Sequence, residues 1–237
     1  MRTFAVFVFL ASLRFVSRLF WRLERTWIGG TRPDTAFDGL RVVALLNHTS
    51  LFEWLWIGAC PHSFLWRVAV HGVIPAAEKT TRRPLVGAFF KMLGKHVVSI
   101  TRERDSTWRA VLQRIDPDSM VIIAPEGRMK RPNGLDSQGQ PMTVRGGIAD
   151  ILEAIPEGPM LLAYSGGLHH VQAPGEHLPR PFRKIRIAIE RVDIAEYRAA
   201  RMAEAGSEAG FKRAVVNDLN RRRDLHCPAV ANGESPG

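Results

Sequence analysis

Two short stretches carry side chains that could do chemistry together. The first is NHTSLFE, residues 47–53, in which Glu53 follows His48 by five positions. A carboxylate on one imidazole nitrogen fixes the tautomer and stabilises the imidazolium, leaving the other nitrogen to take a proton from a hydroxyl. In one regular helix the two residues would lie about 140° apart. They meet more easily if His48 sits in a turn and Glu53 inside the helix that follows. A plainer reading stands beside this one, in which Asn47 or Thr49 caps a helix and His48 is incidental. The second stretch is APEGRMK, residues 124–130. Gly127 lets backbone approach a ligand. Arg128, Lys130 and Arg131 can grip a phosphate, the planar guanidinium through paired hydrogen bonds. Glu126 could bind a substrate hydroxyl or hold Arg128 in place. A strand-ending turn with solvated charges is the alternative.

These residues need a frame. Short apolar runs at 41–46, 65–70, 97–100, 119–124, 159–164 and 184–190 read as strands, the last by the alternation of Ile185, Ile187 and Ile189. Residues 51–60, 84–94, 105–115, 145–155 and 208–223 read as helices, with Asp105 or Ser106 as an N-cap and Asp116-Pro117 as a stop. Strands alternating with helices predict an α/β fold, a largely parallel sheet flanked by helices, with an N-terminal amphipathic helix. Ligands of such sheets bind beyond the carboxyl ends of the strands. Those ends carry Asn47-His48, Thr101-Arg102, Pro125-Glu126-Gly127-Arg128 and Ser165-Gly166-Gly167.

The two motifs in this order, NH-x-x-x-x-acid and then a strand ending in PEG-R about 75 residues later, resemble the glycerolipid acyltransferase family, whose best-known members are the 1-acylglycerol-3-phosphate acyltransferases. The likeness continues in VVSITR, which leads to Arg102, in Val144-Arg145-Gly146-Gly147, in the strand PMLLAY and in LPRPFRKIRI. It spans roughly residues 40–192. The resemblance implies that His48 deprotonates an acceptor hydroxyl for attack on an acyl thioester, and that Glu53 orients it. It implies that Arg102, Glu126, Gly127 and Arg128 bind a phosphorylated, glycerol-like acceptor, with Lys130 or Arg131 able to substitute for Arg128. It implies no bound cofactor, acyl-CoA or acyl-carrier protein being a co-substrate, and no covalent acyl-enzyme on Cys60 or Ser165. Three positions depart from the family pattern: Glu53 stands where aspartate is usual, Gly127 and Arg128 lack the usual Thr or Ser between them, and Leu161-Leu162-Ala163 lacks the usual proline. Trp54 and Trp56 read as core, or as the wall of an acyl channel.

Composition narrows the field further. At 237 residues, 46% hydrophobic and 24% charged, the chain reads as a folded domain, not a disordered or low-complexity one. Two distant cysteines make no disulfide framework, and His169, His170 and His177 come without a metal-ligand spacing. The net charge of +10 lies wholly in residues 1–115, which hold 17 Lys/Arg and 7 Asp/Glu, against 16 and 16 in the remainder. A one-sided basic surface suits a polyanion. With no nucleic-acid motif in the chain, an anionic membrane and a phosphorylated lipid are the expected partners. FAVFVFLASL, residues 4–13, is too short to span a bilayer, and the arginines that follow without an A-x-A site disfavour a secretory signal. On a helix, Arg14, Arg18, Arg22 and Arg25 form a stripe beside an apolar face, the pattern of an interfacial helix. The expected division is an interfacial helix over 1–30, an acyltransferase domain over 31–224 and a flexible tail over 225–237. The expected location is peripheral to the membrane, on its cytoplasmic face.

Overall fold

The computed structural model describes residues 1–82, 84–101, 105–173 and 175–229. Arg102 lies outside the described residues. The first helix, α1 (Arg2–Phe20), runs into strand β1 (Arg22–Ile28). There follow β2 (Val42–Leu46), a 3₁₀ segment (Glu53–Ala59), α2 (His62–His71), β3 (Gly72–Ala77), the single turn α3 (Glu78–Thr81) and α4 (Pro84–Leu93). Next come β4 (Val97–Ile100), α5 (Ser106–Gln113), β5 (Met120–Ile123), α6 (Gly147–Ala154), β6 (Pro159–Ser165), β7 (Lys184–Asp193), α7 (Ile194–Ala205) and α8 (Glu208–His226). The sheet order is β1-β7-β6-β2-β5-β3-β4, and every pair is parallel except β6–β7.

The sheet is apolar on both faces, as a covered parallel sheet must be. Val42, Ala44 and Leu46 point to one side, where α6 and α8 supply Ile148, Ile151 and Val215. Val43 and Leu45 point to the other, against Val6 and Leu10 of α1 and Phe64, Leu65 and Val68 of α2.

One pairing is incomplete. Strands β3 and β5 share only Gly72↔Met120 and Val73↔Val121, after which β3 stays with β4 from Ile74 to Ala77 while β5 stays with β2. Pro75 lacks an amide and has one donor fewer to hold strands together. The sheet therefore opens between β3 and β5 towards their carboxyl ends, the ends at which ligands are expected.

Four expectations need correction. Residues 65–70 are not a strand but part of α2. Phe64, Leu65, Val68 and Ala69 are its buried positions, a helical spacing that a six-residue apolar window cannot distinguish from a buried strand. The N-terminal helix does not extend to residue 30. It stops at Trp21, whose backbone is extended, and residues 22–28 pair with β7 as an edge strand, so Arg22 and Arg25 leave the helical stripe. The segment 51–60 is 3₁₀, not α, over residues 53–59. Residues 225 and 226 are not tail but the end of α8, which continues to His226. Helix α7, which the sequence pattern did not reveal, starts at Asp193, whose carboxylate caps the Glu196 amide.

Candidate active site

The turn after β2 is held from beneath. Asn47 adopts the left-handed conformation at φ 64°, which Asn tolerates better than most residues. Its amide donates to Glu126 Oε1 (2.9 Å), and the His48 amide donates to Glu126 Oε2 (2.8 Å). Glu126 follows the neighbouring strand β5, so the side-by-side strand ends bring the two motifs together. Asn47 Nδ2 reaches the Ser165 carbonyl at the end of β6 (2.8 Å), and the Lys130 amide donates to the His48 carbonyl (2.8 Å). His48 is thus fixed by groups from three strand ends.

Glu126 has a different place from the one its motif suggested. It is buried beneath the turn, with both oxygens taken by backbone amides and Arg223 of α8 at 3.6 Å. Burial raises its pKa; the two amides and the arginine pull the other way. Its geometry is that of a positioning residue.

Glu53 is also buried. Oε1 accepts from the Thr49 amide (2.9 Å) and hydroxyl (3.0 Å), and Oε2 accepts from the Ser165 hydroxyl (3.1 Å). Burial pushes its pKa up to about 7 against these donors. The Thr49 hydroxyl in turn accepts from the Leu168 amide (2.7 Å), and Ser50 bonds Gln172, so the segment after β6 backs the whole histidine turn. Thr49 and Ser165 have no sequence pattern that would mark them as supports for Glu53; tertiary contact alone reveals them.

His48 and Glu53 line one cavity of about 610 Å³, within the usual range for ligand sites. It fills the opening between β3 and β5, with Ile74–Ala77 on one side and Ile122–Pro125 on the other. Its deep part is apolar, walled by Trp54, Trp56, Phe64, Val68, Phe89 and Leu93. Trp54 stacks on Phe89 with ring centroids 5.8 Å apart. The two tryptophans expected as core or channel wall are therefore both, packed with the core and facing the cavity.

The polar part holds Gly127, Arg128, Arg145 and Lys212 beside His48. Gly127 is left-handed at φ 66°, which a side chain resists, and this bend turns the chain across the cavity rim. Arg128 is paired with buried Asp136, whose other oxygen accepts the amides of Gln138 and Gln140; the guanidinium thus also orders the loop 129–142. That pairing holds the Asp136 carboxyl down at about 2. Lys130 is fixed at its backbone, its carbonyl bonded to His169 Nε2 (2.7 Å). Arg145 lies over Gly127 and donates from Nε to the Glu126 carbonyl (3.2 Å). The VRGG motif marked its position, but its convergence with Gly127 is visible only in the fold. Lys212 of α8 pairs with Asp150 (2.5 Å), which also accepts from the Trp108 indole (3.0 Å). These three come from separate helices and carry no linear signal. Among the described residues, no three His, Cys, Asp or Glu side chains converge on a point where a metal could bind.

The arrangement is a rigid histidine turn at the join between an apolar cavity and a cationic rim. It suits a ligand with a long apolar part, an anionic part and a reacting hydroxyl or carbonyl between them.

The family model described as Acyltransferase matches residues 31–163, more than half of the chain. Among solved structures, the 1-acyl-sn-glycerophosphate (LPA) acyltransferase PlsC from Thermotoga maritima superposes with a TM-score of 0.54 at 16% identity. The match covers 92% of this chain and 79% of that one. At that identity the likeness establishes a shared fold. No curated protein sequence matches.

Proposed function

The chain belongs to the Acyltransferase family, and from that premise we propose that it moves a fatty acyl group from a thioester donor to the hydroxyl of a lysophospholipid or glycerol-phosphate-like acceptor, with His48 as the general base. The observation that carries this reading is the position of His48, on the lining of a cavity that is apolar in depth and cationic at its rim.

The acceptor oxygen attacks the thioester carbonyl carbon as its proton passes to the imidazole. The tetrahedral adduct then expels the thiolate, which recovers that proton as free thiol. No acyl-enzyme forms, so Ser165 is left to hold Glu53. Glu53, ionised, stabilises the imidazolium through the field of the buried turn. The acyl chain occupies the opening between β3 and β5. Arg128 and Arg145 face the acceptor phosphate, and Gly127 allows its close approach. Either acyl-CoA or acyl-carrier protein can serve as donor in this scheme. The lipid substrates and the apolar helix α1 together support a protein that sits peripherally on an anionic membrane, on the cytoplasmic face where such thioesters are made.

The test is thiol release from a series of acyl-CoAs and from acyl-carrier protein, with and without lysophosphatidic acid and other lysolipids. Acceptor-dependent release, with the acylated lipid seen by mass spectrometry, supports the reading and identifies the acceptor. Tight lipid binding without release from either donor makes the protein a lipid binder on this fold.

A further inference from the structure

The 19-residue helix α1 is long and apolar enough to cross a membrane by length and composition. It does not stand away from the domain. Val6, Leu10 and Ser17 are buried, the Ser17 hydroxyl donates to the Leu55 carbonyl (2.5 Å), and Arg14 Nε donates to the Cys60 carbonyl (2.7 Å). The outward side is the unusual one. Met1, Phe4, Val8, Phe15 and Leu19 are all exposed, and on a helix of 3.6 residues per turn they fall within about 60° of arc. Arg18 lies at one edge of the exposed side and Arg2 at the other, and no residue of the helix is acidic.

A second exposed apolar element adjoins the C-terminal end of this helix. In the segment between β6 and β7, Leu178 is 70% exposed and Phe182 71%. Phe182 is one of only two non-glycine residues with positive φ among those described, at 59°. A bulky aromatic there is strained, and such strain at an exposed position points to a use for the side chain. The segment is pinned at both ends. The Phe182 amide donates to the Phe20 carbonyl, the Trp21 indole donates to the Arg180 carbonyl (2.8 Å), and the Phe20 and Phe182 rings sit 6.0 Å apart. Upstream, the same segment carries Gln172, which bonds Ser50 in the histidine turn.

We propose that Leu178 and Phe182 form a second membrane-inserting element, which enters the headgroup region of an anionic bilayer next to the C-terminal end of α1 and so sets the histidine turn at a defined height over the lipid surface. The choice of a bilayer as occupant rests in part on the acyltransferase reading. It rests independently on charge: the apolar face is edged by arginines and α1 has no carboxylate, as binding to anionic headgroups requires. A single helix can roll about its axis on a surface; two joined contacts fix the orientation of the domain.

The experiment is flotation of the full chain with vesicles of phosphatidylcholine alone and with phosphatidylglycerol added. For Leu178→Ser/Phe182→Gly, partition to the mixed vesicles falls about tenfold, in line with the loss of two apolar side chains from the interface. The melting temperature is maintained, because glycine is at ease at φ 59°. Phe182→Trp retains wild-type partition. His48→Ala also floats as wild type, so this result stands apart from whether the chain turns over. Unchanged partition of the folded double variant, under conditions where Phe15→Ser/Leu19→Ser lowers it, overturns the proposal. So does a lipid-free dimer that the Leu178/Phe182 substitutions dissociate, since the face then belongs to a second copy.

Discussion

Glu53 and Glu126 are both buried carboxyls in the site motifs, and the structure gives them opposite consequences for substitution. Glu53 has its pKa raised to about 7 from an ordinary value near 4.5, chiefly by burial. A folded-state pKa above the unfolded one means that the folded state binds the extra proton, so stability falls as pH rises from about 4.5 through 7. Glu53→Gln keeps an acceptor for Thr49 and removes the buried charge. It is expected to unfold about 1–3 kcal/mol harder than wild type at pH 8, with the difference vanishing towards pH 4.5 in urea titrations. Its turnover is expected to fall and to lack the rise across pH 7 that ionisation of Glu53 predicts for wild type. Glu126 instead satisfies two amides. In Glu126→Gln the new NH₂ group faces one of them, at a cost of about 2 kcal/mol. The prediction is a lower kcat with KM for the acceptor nearly unchanged; a raised KM with intact kcat would return Glu126 to the acceptor-binding role its motif suggested. Sequence identified these side chains because histidine, carboxylate and Gly-Arg stand at strand ends. It missed what each carboxylate touches, because Thr49, Ser165 and Arg223 meet them only through tertiary folding.

At the scale of elements, the parting of β3 from β5 creates the cavity, and helices α2 and α4 close its deep end. Val68 projects from α2 into that lining. Val68→Phe is expected to shift the products towards shorter acyl chains, read by mass spectrometry with mixed acyl-CoAs, at an overpacking cost of about 1–3 kcal/mol. An unchanged chain-length profile would take the acyl chain out of this opening. Most strands and helices were legible as apolar runs and caps. Residues 65–70 were not, since a six-residue window is too short to separate a helical period from a buried strand. Strand β1 was hidden because its arginines fit a helical stripe, whereas its structure is decided by pairing with β7, 162 residues away in sequence. The opening in the sheet has no local signature beyond Pro75.

For the whole molecule, the excess charge of +10 lies in the first 115 residues, which also carry the exposed apolar face of α1. Partition to anionic vesicles is expected to weaken as salt rises from 50 to 500 mM, because screening shortens the reach of surface charge to a few ångströms. A plateau of residual binding should remain from the apolar contacts; complete insensitivity to salt would remove the arginines from the interaction. The role of His48 is tested most simply by measuring acylated lipid formed from acyl-CoA and lysophosphatidic acid by wild type and by a folded His48→Ala variant on the same vesicles. Acceptor-dependent product is expected from wild type and a loss of roughly 10²–10⁴ from the variant, with membrane binding intact. Equal product from the two proteins would contradict it, because the cavity would then be doing its chemistry without the histidine that the strand ends hold in place.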